Sequence, residues 1–179
     1  MRSKQHPRLP RVTVRVLAGS LAVLVALVLL AHAFGENASP ATKRAPAFTL
    51  KDTRGNTVKL TDFAGKAIVI SFVVTWDQPS QKQIEILSSL RKEHGEQDLA
   101  VLAAAIEQPE KQTTKAYVEE QHPSIPFLVA DYEAISAFGG LTAVPTTFVI
   151  NKDHNIIQKH VGITNTNVLE ADLKVSDPQ

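Results

Sequence analysis

The polar side chains best placed for chemistry are Asp77 and Ser80, which lie where an apolar run ends and a helical pattern begins. A carboxylate at the start of a helix caps free backbone N–H groups and places an anion there. Neither residue has a neighbouring histidine that could activate it as a base or nucleophile. The pattern favours a helix cap at Asp77 and a first-turn residue at Ser80. Contact of Asp77 with a bound partner and a catalytic role are the alternatives.

The chain of 179 residues contains no cysteine. This excludes thiolate catalysis, disulfide bonds and cysteine-ligated metals. The histidines are dispersed and lack ligand spacing: His6, His32, His94, His122, His154 and His160. We therefore expect no metal and no cofactor.

The charge distribution is uneven along the chain. Residues 1–33 carry five basic residues and no acidic one, whereas the remainder carries 14 basic and 18 acidic residues, a net charge of −4. Proteins that bind nucleic acids present a basic face. A mildly acidic domain behind a basic head argues against a nucleic-acid partner.

Residues 16–34 form an almost wholly apolar run behind the basic head. Nineteen residues are just long enough to cross roughly 30 Å of hydrocarbon as a helix, and the preceding basic residues keep the N-terminus cytoplasmic. The pattern of residues 1–34 therefore predicts a signal anchor. It would be a single pass through the bacterial inner membrane, with the domain facing the periplasm. Cleavage after Ala33, in the small-residue triplet Ala31-His32-Ala33, is the alternative and exports the domain to the same side.

Residues 35–44 are rich in small, proline and charged residues and predict a linker, followed by a domain over residues 45–175. The domain pattern predicts a hairpin, then alternating strands and helices, then two strands and a helix, which is an α/β mixed sheet with helices on both faces. The predicted strands are 47–50, 57–60, 67–74, 99–106, 125–130, 146–150 and 155–161. The predicted helices are 80–94, 111–121, 132–138 and 168–173, with a helical turn at 60–63.

Four segments, in order and at matching spacing, resemble the thioredoxin-like superfamily over residues 45–174. They are Ala45–Leu50 with Gly55 and Val58, Leu60–Lys66, Phe72–Trp76 with Pro79, and Ala143–Ile150 with Asp153 and His160–Gly162. The branch most similar is the membrane-anchored TlpA/ResA-type or redoxin (AhpC/TSA-like) group. The resemblance implies a thioredoxin-like mixed sheet flanked by helices, with an N-terminal β-hairpin.

The resemblance also implies roles for single residues. Asp77 and Ser80 stand at the positions of the family's cysteine pair, Pro145 is the cis-proline, and Val144 offers its backbone to an extended partner segment. The expected partner-binding groove consists of Trp76, Asp77, Val144, Pro145 and Thr146. Dithiol exchange needs two thiols, so the chain is expected to lack redox turnover by itself.

Three functions therefore stay open. The first is a non-redox binding or assembly domain that holds an extended segment of a periplasmic or membrane protein. The second is a redoxin or thiol-disulfide oxidoreductase that acts in cell redox homeostasis with thiols supplied by a partner. The third is a purely structural domain.

Overall fold

The computed structural model describes residues 43–175, which form eight strands, a 3-10 turn (Leu60–Phe63) and four helices; apart from the first strand, the elements follow the predicted order. The strands are β1 (Lys43–Arg44), β2 (Thr49–Asp52), β3 (Thr57–Lys59), β4 (Ala67–Val73), β5 (Leu99–Ile106), β6 (Phe127–Ala130), β7 (Thr146–Ile150) and β8 (Asn155–Val161). The helices are α1 (Gln78–His94), α2 (Thr114–Gln121), α3 (Tyr132–Ala137) and α4 (Thr166–Val175).

The expected anchor at 16–34 and most of the expected linker lie outside the described residues. Within residues 43–175, no helix combines the length and the apolar character needed to cross a bilayer.

The strands form one mixed sheet in the order β1-β8-β7-β4-β5-β6-β2-β3. Strand β4 lies in its middle, parallel to β5 and antiparallel to β7. The predicted hairpin is confirmed as the antiparallel pair β2–β3. β1 was not predicted: Lys43 and Arg44 were assigned to the linker, but they pair with Ile156 and Asn155 of β8. A two-residue strand has too short a pattern to recognise, and its partner lies more than a hundred residues away.

Both faces of the sheet are covered at its centre, where every residue of β4 is buried. Its alternate residues divide between two apolar clusters, with Phe72 in one and Val73 in the other. On the first face, the ring of Phe72 packs edge-on against Phe138 and Phe148, with centroid distances of 5.2 and 6.0 Å. The second cluster includes residues of α1, α2 and α4. A continuous apolar run is the pattern of such a doubly covered strand.

Several element bounds differ from prediction for local reasons. Helix α1 begins at Gln78, two residues earlier than predicted, because Asp77 caps it and Pro79 is compatible with the first turn. Helix α2 begins at Thr114 rather than Lys111, because the Thr113 side chain caps it.

Candidate functional site

The ends of three neighbouring strands lie side by side at one end of the sheet. β4 and β7 pair with Phe72 opposite Thr146, and β7 and β8 pair with Thr146 opposite Val161. The segments that extend beyond these pairs therefore emerge side by side. We call their exposed or partly exposed residues Trp76, Val144, Val161 and Ile163 the strand-end surface; Pro145, which follows Val144, is buried.

Asp77 is engaged in the helix cap. Its Oδ1 atom accepts a hydrogen bond from the Ser80 backbone N–H at 2.7 Å, and its carbonyl accepts one from the Gln81 N–H at 3.1 Å. The helix cap that the sequence favoured is thus the observed role of the side chain. The carboxylate keeps an anion at the helix N-terminus, where free N–H groups favour it.

Ser80 is fully buried, and its Oγ atom accepts a hydrogen bond from the Val74 N–H at 3.2 Å. This bond ties the first turn of α1 to the residue that follows β4. The hydroxyl is therefore shielded from any molecule that contacts the surface. Burial at this position could not be read from a polar residue in the first turn of a helix.

Trp76, the one tryptophan of the chain, exposes 42 % of its surface. The preceding residue is fixed on both sides: the Thr75 hydroxyl donates to the Gln112 carbonyl at 3.3 Å, and the Thr75 carbonyl accepts from Gln81 Nε2 at 3.0 Å. The ammonium of Lys111 lies 5.3 Å from the centroid of the indole ring, within the range of a cation–π contact. The indole thus follows a residue that two hydrogen bonds hold in place, and one lysine covers part of the ring.

The Val144–Pro145 peptide bond is cis, the form that the resemblance implies. The Pro145 carbonyl accepts a hydrogen bond from the Gly162 N–H at 2.8 Å, which joins this turn to the end of β8. Thr146 is fully buried and its hydroxyl donates to the Ala143 carbonyl at 2.7 Å. The Thr146 side chain therefore holds the turn beneath the surface, while Val144 is partly exposed.

Two apolar residues of this surface were not among the predicted site residues. Val161 and Ile163 expose 55 % and 53 % of their surface and flank Gly162, which bonds to the Pro145 carbonyl. The signal for them was the His160–Gly162 segment, which the sequence comparison used only as evidence for the fold. Contiguous exposed apolar patches mark contact surfaces for other proteins, and the strand register brings Val161 and Ile163 to the same end of the sheet as Trp76.

Gln83 anchors the segment that carries Ile163. Its side chain is fully buried, and its Oε1 atom accepts a hydrogen bond from the Thr164 N–H at 2.8 Å. Helix α1 therefore positions both sides of the surface, through Ser80 beside β4 and through Gln83 after β8.

Two open clefts lie elsewhere and contain no residue of the strand-end surface. One, of about 700 Å³, is lined by Arg54, Arg91 and Lys115, among others. The other, of about 490 Å³, is bordered by Tyr117, whose pKa is raised by burial and by the charge of Glu85. Within residues 43–175, no three histidine or acidic side chains come together to hold a metal ion.

Comparisons with known proteins agree with this architecture. The sequence matches the AhpC/TSA family over residues 41–159. Thiol-disulfide oxidoreductase ResA from Bacillus thuringiensis subsp. konkukian (strain 97-27) is 28 % identical over 136 residues, covering 76 % of this chain and 78 % of that protein. Thioredoxin-like protein YneN from Bacillus subtilis (strain 168) is 30 % identical over 134 residues, covering 73 % of this chain and 77 % of that protein.

Among solved structures, a thiol:disulfide interchange protein of the thioredoxin family from Chlorobium tepidum TLS has a TM-score of 0.67 at 25 % identity, covering 78 % of this chain and 99 % of that one. StoA from Bacillus subtilis has a TM-score of 0.61 at 15 % identity, covering 72 % of this chain and 96 % of that one. The family match spans well over half of the chain. The chain therefore belongs to the AhpC/TSA family, with a thioredoxin-like fold and no cysteine.

Proposed function

We propose that this chain is an exported, membrane-associated binding or assembly protein without redox turnover. It holds an extended segment of a periplasmic or membrane protein against the strand-end surface, with the partner's backbone running beside Val144.

The observation that carries the proposal is the contrast between the polar and the apolar residues of the site. Asp77 and Ser80 are occupied by bonds to backbone N–H groups, at 2.7 and 3.2 Å. The exposed residues of the strand-end surface, Trp76, Val161 and Ile163, are apolar. A surface of this composition favours adhesion over proton or electron transfer, because burying it removes apolar area from water.

The shape of the surface supports a polypeptide over a small molecule as the occupant. Its residues border neither of the two described clefts. Small ligands generally bind in concave pockets that enclose most of their surface. An extended segment needs only a free backbone edge and alternating side-chain contacts, as in strand addition.

Membrane attachment is the second part of the proposal. The apolar run at 16–34, behind five basic residues, supports a single pass through the bacterial inner membrane with the domain outside. The full chain is expected in the membrane fraction. Protease added to intact spheroplasts is expected to digest its domain. A domain that is protected inside intact spheroplasts would contradict this orientation.

Site-specific photocrosslinking of the full chain in its native membrane tests the binding role. A photoreactive phenylalanine analogue at Ile163 is expected to capture a discrete set of periplasmic or membrane proteins. The matched control carries the analogue at Tyr132, an exposed aromatic residue of α3. A second arm combines the analogue at Ile163 with Trp76→Ala and Pro145→Ala. Capture that is equal from both positions, or unchanged by the two substitutions, would refute the proposed surface.

The alternative function is an oxidoreductase that uses a partner's thiols, as the names of the relatives would suggest. The purified full chain with a bacterial thiol pool separates the two proposals. Disulfide reduction that requires both the chain and added thiol, and that is lost in the Trp76→Ala variant, would favour the oxidoreductase.

A further inference from the structure

Lys111 lies beside the strand-end surface, in the loop between β5 and α2. Its ammonium is 5.3 Å from the centroid of the Trp76 ring. Two hydrogen bonds fix the loop around it. The Lys111 N–H donates to the Gln108 carbonyl at 3.0 Å, and the carbonyl of the following residue, Gln112, accepts from the Thr75 hydroxyl at 3.3 Å. The loop therefore holds a positive charge at the Trp76 end of the surface.

Two carboxylates that border this loop are engaged with other donors. Glu107 Oε1 accepts a hydrogen bond from the Thr114 N–H at 2.8 Å, at the start of α2. Glu120 Oε2 accepts one from Gln112 Nε2 at 2.7 Å. Within residues 43–175, Lys111 forms no ion pair. Its charge therefore has no carboxylate partner in this part of the chain.

The other charged groups near Trp76 leave Lys111 available. Asp77 caps α1, where the partial positive charge of the helix N-terminus offsets the carboxylate. Glu110 precedes Lys111 and is exposed to solvent, which screens its charge. Lys115 lies 3.9 Å from Glu119 on α2. A carboxylate brought against the indole would therefore meet the Lys111 ammonium as its partner.

The opposite end of the strand-end surface is apolar and uncharged. Residues 161–169 contain no charged side chain, and Val161 and Ile163 are exposed. An apolar side chain of a partner gains by leaving water there. A carboxylate would lose its hydration at this end without gaining a partner. The two ends therefore favour different side chains of a bound segment.

The distance between the two ends sets the spacing of those side chains. Strand β7 separates β4 from β8, and neighbouring strands lie about 4.8 Å apart, so the ends of β4 and β8 are about 10 Å apart. An extended chain advances about 3.3 Å per residue. A segment that crosses from Trp76 past Val144 to Ile163 therefore spans the gap with about three residues, and with slightly more to reach Lys111.

We propose that Lys111 is a specificity-determining residue of the strand-end surface and selects partner segments that carry an aspartate or glutamate. This acidic residue lies about three to five positions from the apolar residue that contacts Ile163. The bound segment excludes water and so strengthens the ion pair with Lys111, whereas a basic residue at the same position is repelled. The inference rests on the proposed function and names the chemistry of its partner.

Photocrosslinking of the full chain in its native membrane, with the analogue at Ile163, tests the role of the charge. Lys111→Arg keeps the charge and should keep the capture yield. Lys111→Gln should lower the yield about fivefold, the effect of losing one partly exposed ion pair. Lys111→Glu should lower it more than about tenfold, because like charges repel. Glu110→Gln is the matched control and should not lower the yield.

Sequencing of the crosslinked peptides by mass spectrometry tests the chemistry of the partner. An aspartate or glutamate is expected three to five residues from the crosslinked position, by the spacing of about 3.3 Å per residue. Replacing this acidic residue by lysine in the identified partner should lower capture by the wild type and restore capture by Lys111→Glu. Rescue by a charge exchange would not follow from a merely structural role of Lys111.

The outcomes separate this inference from the proposed function. Equal capture by the wild type, Lys111→Gln and Lys111→Glu would overturn the inference and leave the proposed function standing. The same holds if Lys111→Arg loses as much capture as Lys111→Gln, or if the captured segments lack an acidic residue at the stated distance. Absence of discrete capture from Ile163 in the wild type would refute the proposed function and the inference with it.

Discussion

At the scale of single residues, Asp77 and Ser80 both serve the junction between β4 and α1 through hydrogen bonds to backbone N–H groups. The resemblance to the thioredoxin-like superfamily assigns these two residues the positions of the cysteine pair. Asp77 could be recognised as a cap from its place before the helical pattern. Ser80 could not be recognised as buried, because its burial depends on how α1 packs against the end of β4.

Replacing Asp77 by Ala should lower the free energy of unfolding by about 1 kcal/mol, because the Ser80 N–H loses its acceptor. Urea unfolding followed by the fluorescence of Trp76 measures this change. Asp77→Asn is the control and should stay within a few tenths of a kcal/mol of the wild type, since Asn is an equally good N-cap. An alanine variant as stable as the wild type would mean that the cap contributes nothing to stability.

At the scale of elements, turns and caps are specified locally and are the most predictable part of the fold. The turn between β2 and β3 is an example, since Asp52 accepts hydrogen bonds from the backbone of Arg54 and Asn56 at 2.9 and 2.8 Å. The Asn56 side chain donates a third, at 2.9 Å. β1 is the opposite case, because only its partner β8 makes it a strand.

The pKa of Asp52 is lowered, chiefly by the side-chain hydrogen bond from Asn56; burial opposes this effect, and the backbone N–H groups of Asn56 and Arg54 add to it. A lowered pKa in the folded state means that the ionised form stabilises the fold above the unfolded pKa. This contribution is lost as the pH falls through the folded pKa, below 3.8.

The unfolding temperature should therefore fall less steeply between pH 5 and pH 2.5 for Asp52→Asn than for the wild type. Asp62→Asn, at the neighbouring 3-10 turn, is the matched control substitution of a second exposed aspartate. Curves for Asp52→Asn and wild type that run parallel over this range would contradict the assigned role.

At the scale of the whole molecule, the chain combines a thioredoxin-like fold with the absence of cysteine. Helix α1 begins just after β4, Trp76 lies between this strand and the helix, and the buried Pro145 directly precedes β7. Free N–H groups and the helix dipole at such a position lower the pKa of a cysteine thiol. Restoring sulfur should therefore restore some chemistry.

The wild-type chain is expected to show no reduction of insulin disulfides above buffer, because it has no thiolate. The double substitution Asp77→Cys, Ser80→Cys should give measurable turnover with a chemical reductant. Asp77→Cys alone is the control and should form mixed disulfides without turning over, for want of a resolving thiol. A folded double variant without activity would mean that more than the two sulfur atoms is missing from the scaffold.

The sequence by itself determined the fold, the order of its elements and the absence of thiol chemistry, because these follow from local apolar patterns, turn residues and composition. The tertiary structure decided which polar side chains are buried and hydrogen-bonded and which apolar side chains are exposed. Ser80 and Thr146 are buried, Val161 and Ile163 are exposed, and His160 meets Asp172. Each of these outcomes depends on contacts between elements, which no local pattern of residues encodes.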